Sequence, residues 1–177
     1  MSYNEYHIHV SEAMMGQKYY KLDHKIILDK RLTRNDICIY IAIVRLANFE
    51  DEYTEITGAT LKSVTGILES AQGISVDKLE SLGYIEVELR FSKAYKIANS
   101  KPNRFEKLSA KQIKLMKEDK IQFIRSLKYL ILANGNNMLP SIRACKLRTD
   151  ISKTEYYKLR NMEQYADTDI YDNLIIK

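Results

Sequence analysis

Residues Thr65-Gly-Ile-Leu-Glu-Ser-Ala-Gln-Gly-Ile-Ser-Val-Asp-Lys-Leu-Glu-Ser-Leu-Gly-Tyr-Ile85 decide the reading of the fold. A Thr-Gly break opens the stretch, about three helical turns follow, and Leu-Glu-Ser-Leu-Gly-Tyr-Ile leads out of the helix. Gly66 suits a tight turn after a helix over Thr60 to Thr65, Gly83 suits a left-handed C-cap, and Leu79 with Leu82 forms the buried side. Beyond it, Tyr84-Ile-Glu-Val-Glu-Leu89 alternates with period two, Phe91-Ser-Lys93 can turn, and Ala94-Tyr-Lys-Ile97 returns. The predicted order is helix, turn, helix, hairpin.

A shift of 86 residues lays the chain on itself without a gap. Lys21-Leu22 falls on Lys107-Leu108, Ile27 on Ile113, Ile37 on Phe123, Ile41 on Leu127, Val44 on Leu130, and Leu46-Ala-Asn48 on Leu132-Ala-Asn134. In the first copy Ile37, Tyr40, Ile41 and Val44 form one helical face, with Thr33 as N-cap and Asp36 three residues on. The second copy repeats the stripe with Phe123, Leu127 and Leu130, widened by Ile124 and Ile131 and stopped at Gly135. Ahead of the first helix, Tyr19-Tyr-Lys-Leu22 and Ile26-Ile-Leu28 are β-prone and are expected at the edge of a small sheet. Phe105 to Met116, the matching stretch, is more ambiguous.

The second copy also repeats the helix–turn–helix order. Pro140-Ser-Ile-Arg-Ala-Cys-Lys-Leu147 reads as a short helix with Pro140 in its first turn, and Arg148-Thr-Asp150 as the turn. Ile151 to Met162 follows as a second helix, with Ser152 as cap, Glu155 completing a capping box, and Tyr156, Leu159 and Met162 as the buried stripe. Asp169 to Ile176 could form a short hairpin around Asp172-Asn173.

Through Thr65-Gly66, Leu79-Glu80 and Leu82-Gly83-Tyr84-Ile85 the chain resembles the winged helix-turn-helix superfamily over residues 18–98, and Ser152-Lys-Thr-Glu-Tyr-Tyr-Lys-Leu159 resembles the start of its recognition helices. Gln72 stands where that pattern is usually apolar, Gly73 weakens the helix by about 1 kcal/mol relative to alanine, and the acidic second hairpin departs from a phosphate-binding wing. The resemblance implies an α+β, mainly helical chain of two tandem winged helix-turn-helix units related by an internal repeat. The expected layout is an N-terminal arm at 1–17, a first unit at 18–98, a linker at 99–103 marked by Asn-Ser-Lys-Pro-Asn, and a second unit at 104–177.

Charge separates the two units. Residues 1–100 carry 12 Lys and Arg against 14 Asp and Glu, and residues 101–177 carry 16 against 9, so the halves stand at −2 and +7. That asymmetry points the second half towards a polyanion. Lys146, Arg148, Ser152, Lys153, Thr154, Tyr157, Lys158 and Arg160 are the candidate DNA contacts, because a recognition helix needs small polar and basic side chains near its N-terminus. In the first unit Ser70 and Gln72 are candidate base contacts, with Lys62, Arg90, Lys93 and Lys96 for the backbone. Glu69, Asp77 and exposed Ile74 make that helix an equal candidate for a protein or dimer interface.

With 45% hydrophobic and 29% charged residues the chain can bury a core, so it is read as folded. No run approaches the roughly 18 apolar residues of a membrane span and the start lacks a signal-peptide order, which predicts a cytoplasmic protein without membrane contact. Cys38 and Cys145 fall within apolar helical patterns as free thiols, and His7-Ile-His9 lacks further ligands. With no phosphate loop, paired Cys/His spacing or nucleophile motif, neither catalysis nor a cofactor is expected. The expected partner is double-stranded DNA, bound by a monomer or homodimer. Tandem units of this kind resemble plasmid and phage replication initiators, which also recruit replication proteins. A transcription regulator on an operator is the alternative, and an adaptor binding protein through its winged helices is the alternative of another class.

Overall fold

The computed structural model describes residues 20–47, 53–99, 102–108, 113, 116–134, 141–149 and 151–164. The arm at 1–17, the stretch from Gly135 to Pro140 and the hairpin expected over 169–176 lie outside them. In chain order the elements are β1 (Tyr20–Asp23), α1 (His24–Leu28), α2 (Arg34–Leu46), β2 (Thr54–Glu55), α3 (Gly58–Thr65), α4 (Glu69–Ser81), β3 (Ile85–Leu89), β4 (Lys93–Ile97), β5 (Phe105–Leu108), α5 (Lys120–Asn134), α6 (Ile142–Arg148) and α7 (Lys153–Gln164). The fold is α+β and largely helical.

α2 begins in a capping box: Asp36 N–H donates to Thr33 Oγ1 at 3.3 Å and Thr33 N–H donates to Asp36 Oδ2 at 2.7 Å. The expected stripe is only half of what this helix buries. Cys38, Ile39, Ala42 and Ile43 are as enclosed as Ile37, Tyr40, Ile41 and Val44, because α3 and α4 pack on the helix together with α5. α2 is therefore a central helix, and its sequence is apolar all round for that reason.

Ile26-Ile27-Leu28 is a helix, which corrects the strand expected there. Asp23 caps it by accepting Lys25 N–H at 2.9 Å, and one helical turn drives both Ile26 and Ile27 into the core. Burial here overrides the β-propensity of the two isoleucines.

Residues 54–97 carry a three-stranded antiparallel sheet in the order β2-β4-β3. β3 and β4 form the hairpin expected from the sequence, with Ile85 opposite Ile97 and Leu89 opposite Lys93, and Arg90 N–H closes the tip on the Ser92 carbonyl at 3.0 Å. β2 adds Thr54 opposite Tyr95 and Glu55 opposite Ala94. A separate two-stranded ladder pairs β1 with β5, running from Tyr20 opposite Leu108 to Asp23 opposite Phe105. Lys21 and Lys107, which the repeat superposes, face each other within it (21 + 86 = 107), so the two repeated strands pair about a local two-fold.

The main apolar core runs across the boundary expected at 99–103. Leu22, Ile27, Ile37 and Ile41 share it with Leu108, Ile113, Phe123 and Leu127. The boundary segment is tied in as well, since Asn99 Nδ2 donates to Asp23 Oδ2 at 3.1 Å and Pro102 is buried. A smaller cluster of Tyr129, Leu132, Cys145, Ile151, Tyr156 and Leu159 holds α6 and α7 against α5.

Candidate nucleic-acid interface

Two helix pairs carry the sequence-predicted site, and one hydrogen-bonded frame builds both. In the first, Thr57 Oγ1 caps α3 by accepting Thr60 N–H at 3.2 Å. Thr65 Oγ1 then donates to the Leu61 carbonyl at 2.8 Å and accepts Ile67 N–H at 3.0 Å, while Gly66 takes a φ of 69° to turn the chain. In the second, Ser141 Oγ caps α6 by accepting Ala144 N–H at 3.1 Å. Thr149 Oγ1 donates to the Cys145 carbonyl at 2.6 Å and accepts Ile151 N–H at 3.2 Å. Every equivalent pair, 57/141, 61/145, 65/149 and 67/151, is 84 residues apart. The repeat thus changes from a shift of 86 to one of 84 between α5 and α6, a two-residue shortening. Ser141, rather than Pro140, is the structural start of α6.

The frames are anchored differently. Ser75 Oγ donates to Asp36 Oδ1 at 2.7 Å and Lys78 Nζ lies 3.2 Å from Asp36 Oδ2, tying α4 to the start of α2. Burial pushes the Asp36 carboxyl upward, but the hydrogen bonds from Thr33, Ser75 and Lys78 outweigh it and hold it below the usual carboxylate range. At the places equivalent to Gln72 and Ser75 the second pair buries Tyr156 and Leu159. Tyr156 meets Tyr129 edge-on at 6.2 Å between ring centres. Ser152 Oγ accepts Glu155 N–H at 3.3 Å, but the Glu155 carboxylate is turned to Ser152 Oγ and to Arg125. Ser152 thus caps α7, and the box expected there is present by half.

Of the residues expected to contact DNA, Ser152, Lys153, Thr154, Tyr157 and Lys158 are exposed together on the first two turns of α7. Lys153 and Tyr157, and Thr154 and Lys158, form adjacent i, i+4 pairs. The backbone of Lys146, Arg148 and Arg160 is helical in α6 and α7, and their side chains lie outside the described residues. Lys62 and Ser70 are exposed on α3 and α4.

Gln72 requires a correction. It is 5% exposed, and its Nε2 donates to the Gly58 and Ile67 carbonyls at 3.0 and 2.9 Å. The amide closes the α3–α4 turn from inside, which explains a polar residue at an apolar position and removes it from any groove-facing surface.

On the hairpin, Lys93 is exposed, whereas Arg90 and Lys96 are matched by acids of β3. Arg90 pairs with Glu88 at 3.0 Å and Lys96 with Glu86 at 3.6 Å, and both cations lie over the Tyr53 ring. A phosphate would compete there with carboxylates already in place. Sequence reasoning missed Arg143, exposed on α6, and Lys117 and Lys120, which border Gly66. The 84-residue register, which puts Arg143 on the outer side of the helix equivalent to α3, was the signal for the first; nothing local indicated the other two.

Among the described residues no group of three or more His, Cys, Asp and Glu side chains could hold a metal ion, and no helix is long and apolar enough to cross a membrane. Cys38 and Cys145 are buried free thiols, with burial pushing Cys38 up to about 12. Comparison of the chain with models of known families, with curated proteins and with solved structures gives no match.

Proposed function

We propose that this chain is a sequence-specific double-stranded DNA-binding protein built from two tandem winged helix-turn-helix units, with α7 as its reading helix. The observation that carries this reading is the exposed face of Lys153, Thr154, Tyr157 and Lys158 on the second helix of a helix–turn–helix frame. Lys153 and Thr154 stand in the first turn, where the unsatisfied N–H groups and the helix dipole favour a phosphate. Tyr157 and Lys158 stand one turn on, within reach of base edges once the N-terminus of α7 is in the groove. The order β2-β4-β3 around α2, α3 and α4 supports the winged reading of the first unit. No catalysis and no cofactor form part of this function.

The cellular role proposed is replication initiation on plasmid or phage DNA, with operator binding by a transcription regulator as the second reading. Binding is tested on the intact chain, because the two units share a core, by fluorescence anisotropy with random duplex and single-stranded DNA across a salt series. Duplex binding should fall steeply with salt, and Lys153→Ala and Lys158→Ala should each lower the log–log slope by about one. A nearly flat salt response would overturn the reading. Selection of bound fragments then separates the roles: clustered repeats at an origin indicate initiation, and paired half-sites at promoters indicate regulation.

A further inference from the structure

Equivalent surfaces of the two helix pairs carry opposite chemistry, and each exposes large apolar side chains. On α4, Ser70, Ile74, Asp77 and Ser81 follow one another at i, i+4, i+7 and i+11, with Ile74 73% exposed and Glu80 beside them. Leu68, 61% exposed, stands at the start of that helix. On the second pair, Tyr157 is 45% exposed and Leu147 61% exposed, bordered by Arg143, Lys153 and Lys158. Ile74 on α4 is therefore apolar within carboxylates, and Tyr157 on α7 is apolar within cations. Lys78 does not offset the acids of α4, because its ammonium is already paired with buried Asp36. Lys117 and Lys120 border Gly66, whereas Asp77 lies about 12 Å along α4 from its first residue at 1.5 Å per residue. The carboxylates of α4 also make its face repel the phosphates that α7 attracts.

We propose that the α4 face of one copy docks on the α6–α7 face of a second copy of this chain, a head-to-tail contact held by charge complementarity around the two apolar patches. The two faces differ, so the contact does not close on itself as a two-fold dimer would, and it adds copies in one direction. Ile74 meets Tyr157, while Asp77 and Glu80 meet Lys153 and Lys158. Duplex DNA then competes with the contact for α7; this consequence rests on the DNA-binding reading, whereas the association itself does not.

The test is sedimentation velocity on the full chain with two surface variants, Asp77→Lys and Lys153→Glu, whose folding is checked by thermal melts. The native chain should gain mass with concentration at low salt and lose that gain at high salt. Each variant alone should associate at least about tenfold more weakly. Mixed together in equal amounts, they should regain association, because the intact α4 face of one variant fits the intact α7 face of the other and the two reversed charges again oppose each other at the remaining contact. A native chain that stays monomeric, a single variant that associates like the native chain, or a mixture that stays monomeric overturns the proposal. Titration with duplex DNA reads the other question: an association that DNA does not dissolve counts against DNA binding by α7 and leaves the contact standing.

Discussion

α3–α4 and α6–α7 are one frame with two surfaces. Thr57, Thr65 and Ile67 do in the first what Ser141, Thr149 and Ile151 do in the second, bond for bond. At positions of the same register that are exposed in the second pair, Glu69 answers to Lys153, Ser70 to Thr154, Gly73 to Tyr157 and Ile74 to Lys158. Backbone groups that must be satisfied hold the frame constant, and solvent leaves the outer positions open to a different partner chemistry in each copy.

The comparison breaks first at the anchors. Asp36 is buried with three partners, and its repeat equivalent Gln122 is only half-buried, donating to Ser126 Oγ at 3.2 Å. Asp36→Ala should cost about 3 to 5 kcal/mol by leaving Lys78 and Ser75 without their acceptor, measured by urea unfolding, whereas Gln122→Ala should stay within about 0.5 kcal/mol. The pH dependence follows the same contrast. The folded Asp36 carboxyl sits below its unfolded value of about 3.9, so its contribution is present above that pH and is lost as pH falls through the folded value. Asp29, lowered by its bonds to Arg31 and then to Tyr84, adds in the same direction. Asp36→Asn should flatten the acid limb of the stability profile, and an unchanged limb would remove Asp36 from this role.

Smaller effects test the equivalence of the frames. Thr65→Val and Thr149→Val each leave a buried N–H without its acceptor, and each should cost about 1 to 3 kcal/mol with closely similar values. A large cost at one threonine with none at the other would break the internal symmetry. Smaller still is the difference in opening between the two clusters. Thiol labelling of Cys38, in the shared core, should wait for global unfolding, while Cys145, in the smaller cluster, should label sooner. Labelling of both at one rate would make the halves a single cooperative unit.

Much of this was legible in residues with strong local chemistry. Gly66 and Gly83 take the positive φ that the turns required, at 69° and 74°, and the Thr33/Asp36 box and the β3–β4 hairpin follow from spacing alone. Gln72 was not legible, because only the carbonyls of Gly58 and Ile67 meeting at its amide make a buried glutamine stable. The strand expected at Ile26–Leu28 failed for a related reason: burial chose a helix that local propensity did not indicate. Arg90 and Lys96 looked available for phosphate until β3 supplied Glu88 and Glu86 beside them.

Spacing along the chain was enough for the helix–turn–helix–hairpin order of residues 57–97, the repeat, and the charge difference between the halves, because caps, glycines and periodicity act within a few residues. Long-range packing settled that β1 pairs with β5, that α2 is buried on every side, and that one core holds residues from both sides of the segment 99–103. Those outcomes depend on apolar surfaces far apart in sequence finding each other, and burial is non-directional, so nothing in either partner alone names the other.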